Sequence, residues 1–189
     1  MPATRNKPSQ LSVLRYGVFV SLIAEQRVVS YAPTVRNLIH DHFGRRPLGA
    51  VTIILTKPRL LLSLANEAQG EAAGVPENIW KSAGVKQSII GKPKDFSVAT
   101  LIAPKGAMWM LINAPKMRDP KQLKLSLLRG FVEVDQLIRS GARDNRVAWV
   151  RHEMKVAPLS KRQANKLQAQ ILADGAEAES VTTDLARRL

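Results

Sequence analysis

Two apolar runs, Phe96–Ala103 and Ala107–Asn113, are joined by Pro104, Lys105 and Gly106, and no other feature constrains the fold as much. Pro at the second turn position with Gly closing the turn is hairpin chemistry. Neither run alternates. Phe96, Val98 and Ile102 fall on one face, Ala99 and Leu101 on the other, and Met108 to Ile112 are apolar without a break. A strand with one face in water alternates apolar and polar residues, whereas a strand covered on both faces does not. The hairpin is therefore predicted to be core, and the rest of the chain must supply its cover. A hydrophobic content of 45% over 189 residues is ample for that.

Around the hairpin the sequence predicts mostly helices. Leu11 to Val29 reads as a buried helix, with Leu11, Leu14, Val18 and Leu22 at helical spacing, although Val13, Tyr16, Val18, Phe19 and Val20 carry strand character. A short helix starts near Pro33 under a Ser30 or Thr34 cap, runs to Phe43 and stops at Gly44. Gly49–Leu55 reads as a strand and Lys57–Gln69 as a helix with Leu61, Leu64, Ala65 and Ala68 on one face. Pro76 opens a small helix that Gly84 ends.

Asp119 caps and Pro120 opens the clearest helix, with Leu123, Leu127, Phe131, Val134 and Ile138 on one stripe and Gly141 closing it. Gly130, inside this helix, costs about 1 kcal/mol relative to Ala and permits close packing. Val147–Met154 reads as a short strand, and Ser160 caps a last helix through Ala164, Leu167 and Ile171 that Asp174-Gly175 ends. The expected fold class is α+β, mainly helical, with a central β-hairpin and one or two further short strands. The element order is also that of a winged-helix domain, with Lys105 at the wing tip. Residues 1–10 form a flexible basic arm, 11–173 one globular domain with a possible subdivision near 115–120, and 174–189 an acidic tail.

Charge narrows the partner. Twenty-nine Lys and Arg against fifteen Asp and Glu leave a net +14, a surplus that repels itself unless a polyanion or anionic surface neutralises it. The surplus is uneven: basic to Asn66, acidic from Glu67 to Trp80, basic again to Ala173, and acidic at the end through Asp174, Glu177, Glu179 and Asp184. The chain has no Cys, so disulfides, cysteine-ligated zinc, Fe–S clusters and thiol catalysis are excluded. His40-Asp41-His42 would point its two imidazoles about 200° apart on a helix and has no third ligand motif, so no metal and no cofactor is expected. No pair of carboxylates has a telling spacing, and the protein is expected not to be an enzyme. The apolar stretches are too short for a membrane span and no secretory signal is evident, which predicts a cytoplasmic protein. Trp80, Trp109, Trp149, Tyr16 and Tyr31 could stack bases but are expected mostly in the core.

Lys57 to Gln69 followed by AAGVPENIWKSAG, with Ala73, Gly74 and Val75 in the turn and Pro76–Ser82 as the reading helix, resembles the helix-turn-helix of many bacterial regulators over about twenty residues. It departs from that pattern at Gly70 and at Ile79. The resemblance implies a helix in the major groove of DNA. A second arrangement of this kind pairs Leu22–Gln26 with Thr34–Phe43, flanked by Arg36, Arg45 and Arg46.

A set of Pro-Lys junctions adds a patch made of Lys92, Lys94, Lys116, Arg118, Lys121 and Lys124 beside the start of the Pro120 helix, with Lys105 at the far end of the hairpin. Together these residues predict a non-enzymatic nucleic-acid-binding protein, DNA before RNA, of regulatory or mobile-element type, binding through phosphate contacts at Arg36, Arg45, Arg46, Lys92, Lys94, Lys116, Arg118, Lys121 and Lys124. The alternative is a viral or ribonucleoprotein structural subunit that self-associates and meets RNA or an anionic membrane. The acidic tail is expected to compete for the basic face, so that truncation after Ala173 tightens binding.

Overall fold

The structure, a computed structural model, describes residues 11–17, 20–44, 48–83 and 97–189. Its centre is a four-stranded mixed sheet of order β1-β2-β4-β3, formed by β1 Leu11–Arg15, β2 Val51–Thr56, β3 Val98–Ile102 and β4 Met108–Asn113. β1, β2 and β4 are parallel, and β3 is antiparallel to β4. The expected hairpin forms, turning through Pro104–Gly106 with Lys105 at φ 58° and Gly106 at φ 72°. Because β4 pairs with β2 on its other side, it is an interior strand. That is why Met108 to Ile112 contains no polar residue, and why the hairpin is not a solvated wing.

Helices cover both faces. Val51, Ile53 and Leu55 share one face with Val98, Ile102, Met108, Met110 and Ile112, packed under α1 Leu22–Phe43 and α4 Pro120–Ile138. α1 contributes Val28, Ala32, Val35 and Ile39; α4 contributes Leu123, Leu127, Phe131 and Val134. The other face, with Ile54, Leu101 and Leu111, lies under Leu61, Leu64, Ala65 and Ala68 of α2 Pro58–Ala72. A satellite cluster joins Ala73 and Val75 to Val150 and Met154, beside α3 Glu77–Ala83 and α5 Ala142–Glu153. The fold is α+β, and one main cluster of apolar side chains runs from Val20 to Leu185, across the 115–120 segment.

Four sequence expectations are corrected. Leu11–Val29 is helical only from Leu22, where α1 begins: Leu11–Arg15 pairs in parallel with Val51–Leu55, Ser12 Oγ donates to Thr52 Oγ1 at 2.9 Å, and Gly17 at φ 99° turns the chain toward α1. The short helix from Pro33 is the second half of the 22-residue α1, which Ser21 caps by accepting from the Ala24 N–H at 3.4 Å. Pro33 is tolerated inside because its side of the helix is exposed, where water can serve the carbonyl it leaves unpaired. Gly44 ends α1 in the left-handed region, its N–H bonded to the His40 carbonyl at 2.9 Å.

Val147–Met154 is helical, in α5, because Val147, Val150 and Met154 recur at helical spacing toward the satellite cluster. Ser160 opens α6 Lys161–Ala186 with a full capping box, as its position suggests. Yet Asp174-Gly175 does not end that helix. Residues 174–189 are no free tail, since Ala178, Val181 and Leu185 are buried in the main core.

Gly130 shows why a helix tolerates its weakest common residue. A Cβ there would stand 2.6 Å from Met110 Sδ, 2.7 Å from its Cε and 3.0 Å from its Cγ. The helix therefore lies close on β4, and the Thr100 hydroxyl donates to the Gly130 carbonyl at 3.2 Å. Gly130→Ala gains roughly 1 kcal/mol in helix propensity but must displace a fully buried methionine, an overpacking cost of about 1–3 kcal/mol. We expect the melting temperature to fall by about 2–4 °C, the shift for a net loss near 1 kcal/mol at this size. A rise on thermal unfolding would mean that Met110 swings aside freely.

Candidate nucleic-acid interface

Parallel pairing places the C-terminal ends of β1, β2 and β4 on one edge of the sheet. α1, α2 and α4 each begin just beyond that edge, after Arg15, Thr56 and Asn113 respectively. A helix start carries the positive end of its dipole, and this edge collects three. Ser21 and Asp119 cap α1 and α4 with their side chains, Asp119 accepting from the Lys121 N–H at 3.0 Å, whereas α2 begins after Lys57 without a side-chain capping bond.

Cations are added to those helix ends. Arg27 on α1 reaches across to the following connection, its Nη1 donating to the Arg118 carbonyl at 2.7 Å. This bond fixes the short helical turn Ala114–Arg118, which presents Lys116 and Arg118 to solvent immediately before exposed Lys121. Between these segments is a cleft of about 520 Å³. Arg27, Lys57 and Arg118 line it together with Ser21, Ile23 and Pro115, and no described carboxylate does. Glu25, nearby, is held by Arg15 at 2.8 Å.

The expected site residues thus separate. Lys116, Arg118 and Lys121 come together at this edge. Lys124 is set apart by its bonds: Nζ donates to the Leu189 carbonyl at 3.2 Å and lies 5.0 Å from the Tyr31 ring centre. Arg36 is a correction, for it belongs to the opposite end of the sheet, where Nη2 donates to the carbonyl of Leu48 at 3.1 Å and burial lowers its pKa. A six-residue strand separates the two ends by about 20 Å. Arg45, Arg46, Lys92 and Lys94 lie outside the described residues. Lys105, at the hairpin turn, is also at the far end.

Arg27 and Lys57 complete the group, and sequence reading did not place them in it. Lys57 had a visible signal in its Pro junction after a strand; Arg27 had none, because only parallel pairing brings α1 beside residues 114–118.

Of the two helix-turn-helix arrangements, the one pairing Leu22–Gln26 with Thr34–Phe43 is overturned: both segments belong to one continuous helix with no turn between them. The one through Ala73, Gly74 and Val75 does form a corner, with Gly74 at φ 64° and the Val75 N–H bonded to the Gly70 carbonyl at 2.8 Å. Gly70 is required there, since its Cβ position lies 2.7–2.8 Å from atoms of Trp80. The exposed surface of the corner carries Glu67, Glu71 and Glu77, the last paired with Lys81.

His40 and Asp41 lie 3.5 Å apart on the surface, and His152 Nδ1 accepts from the Leu159 N–H at 3.0 Å. Among the described residues no three His, Asp or Glu gather into a metal-holding group, and no helix is long and apolar enough to cross a membrane. Trp80 and Trp109 are partly buried against the apolar clusters, whereas Tyr16 is 48% exposed. No known family model, curated protein or solved structure matches the chain.

Proposed function

We propose that this is a non-enzymatic nucleic-acid-binding protein, duplex DNA first, that grips phosphates at the C-terminal edge of its parallel strands. The observation carrying this reading is the cleft bounded by Arg27, Lys57 and Arg118, continued outward by Lys116 and Lys121, with helix starts behind it and no described carboxylate in its lining. Guanidinium and ammonium groups pair with phosphate oxygens, and helix starts favour the same charge. Ile23, 61% exposed at the mouth, offers an apolar contact for a sugar or base face. The net charge of +14 supports the same class of partner.

A second reading, a self-associating structural subunit, draws on the exposed Leu14 and Tyr16 at β1 and Leu22 and Val29 on α1. One experiment separates the two. Titration of a labelled 20-base-pair duplex at rising salt should give a slope of about −0.9 per neutralised phosphate, hence about −3 to −4.5 for three to five contacts. Affinity that does not move with salt would remove the electrostatic reading. Large particles on a sizing column, with equal coating of RNA and anionic liposomes, would favour the structural subunit.

A further inference from the structure

A second cavity shares no lining residue with the basic cleft and lies on the side of the molecule where β3 is the edge strand. It encloses about 560 Å³ between Val98–Thr100 of β3, the second half of α4, the start of α5 and the middle of α6. That volume is within the roughly 300–1,000 Å³ range of small-molecule sites. Its walls are apolar at Val98, Leu137, Leu167 and Ile171, and charged at a few places.

Most of the charges there are paired at contact distance; Arg146 and Asp174 are not. Glu133 pairs with Arg129 at 3.2 Å. Arg139 makes a two-pronged bond to Glu177 at 2.6 and 2.7 Å and a second contact with Asp135 at 3.2 Å. Asp174 Oδ1 accepts from Gln170 at 2.7 Å. Arg146, partly buried on α5, has no hydrogen bond or ion pair to any of them. Burial lowers its pKa, which Glu133 and Asp174 offset only in part from a distance; an arginine nonetheless stays charged at neutral pH. A partly desolvated guanidinium facing a cavity, with its counter-charges Glu133 and Asp174 acting only from a distance, is costly by itself and gains when an anion makes direct contact. α5 also begins at Gly141 without a side-chain cap, so its first-turn N–H groups add to the attraction, while Asp144 in that turn is exposed.

We infer that this cavity binds a small organic molecule carrying one oxyanion group, carboxylate or phosphate, on Arg146, with an apolar body against Leu137, Leu167 and Ile171. The anion would take two parallel N–H bonds from the planar guanidinium. Glu133 and Asp174, both in the lining, limit the charge of the ligand by repelling a second oxyanion group. The site is independent of the proposed nucleic-acid contacts, and its test does not involve them.

The probes are phenyl phosphate and phenylacetate, with benzyl alcohol as the neutral control, titrated into the full chain by calorimetry and by NMR. At least one of the two anions is expected to bind with Kd below about 1 mM, and the better of them identifies the oxyanion. Benzyl alcohol should bind more weakly. Arg146→Gln should weaken the better anion about tenfold or more, because the charged hydrogen bonds are lost. Its melting temperature should hold or rise, since a guanidinium whose desolvation Glu133 and Asp174 offset only in part has gone. Leu167→Trp, which fills the cavity and leaves every charge in place, should abolish binding, and Glu133→Gln should tighten it about threefold by removing a repelling charge. No binding of either anion at about 10 mM, or equal affinity in wild type and Arg146→Gln, would overturn the inference.

Discussion

Cutting the chain after Ala173 is expected to lower its melting temperature by about 10–20 °C, or to abolish the cooperative transition altogether. The removed half of α6 buries Ala178, Val181 and Leu185 at 0%, 9% and 1% exposure. Two buried aliphatic side chains at about 1.5–3 kcal/mol each and a methyl come to about 5 kcal/mol. A loss of 5 kcal/mol corresponds to about 10–20 °C at this chain length and to a large share of a typical 5–15 kcal/mol stability. The cut also uncovers the α4 surface beneath, and it removes Glu177 from Arg139 and the Asp174 carbonyl from the Gln136 amide, which donates to it at 2.7 Å. Circular dichroism on heating decides the matter. The sequence reading expected the same cut to free a basic face and tighten binding. A truncated chain that melts within about 2 °C of the parent, a loss under 1 kcal/mol, would restore that expectation.

Reversing Lys116, Arg118 and Lys121 to Glu together should weaken duplex DNA binding on the order of 100-fold at moderate salt, and should flatten the salt slope by about 2.7. The slope is the sharper readout, since each lost phosphate contact removes about 0.9 from it whatever the sequence bound. All three side chains are exposed, so folding should change by no more than about 0.5 kcal/mol per site. Glu at position 121 even suits the start of α4. Arg118 holds Arg27 through its backbone carbonyl, which substitution leaves intact. Lys105→Glu, the same change of sign at the opposite end of the sheet, is the control and should shift affinity little. Equal losses from the control and the triple variant would mean that net charge alone governs binding and that the cleft is not the site.

Much of the architecture is written in local chemistry. Pro104-Lys105-Gly106 makes its turn, Asp119-Pro120 and Ser160 start their helices, Gly44 ends one, and Gly130 marks a close approach. These signals work because a cap or a turn is satisfied by atoms within a few residues of it. Stop signals read from single residues fared worse. Gly175 costs α6 about 1 kcal/mol, less than the burial of Val181 and Leu185 returns, so the helix continues. Pro33 is carried in the same way by the buried residues on either side of it in α1.

The candidate interface divides along the same line. Lys116, Arg118 and Lys121 are neighbours in the chain, and their grouping needs only the turn that carries them. Lys57 joins them because Val51–Thr56 pairs with Met108–Asn113, and Arg27 because Leu11–Arg15 pairs with a strand forty residues away, contacts whose partners no local pattern names. The cavity around Arg146 was still less legible, being assembled from four elements between residues 98 and 175. The sequence by itself determined an α+β chain with a covered hairpin, well-marked helix starts and an excess of cations, since composition and short-range hydrogen bonding decide those. Which cations share an edge, how the acidic C-terminal segment is anchored in the core by Ala178, Val181 and Leu185, and which arginine is left without a counter-ion in contact were decided only by tertiary packing, because Coulomb interaction and desolvation depend on distance through space.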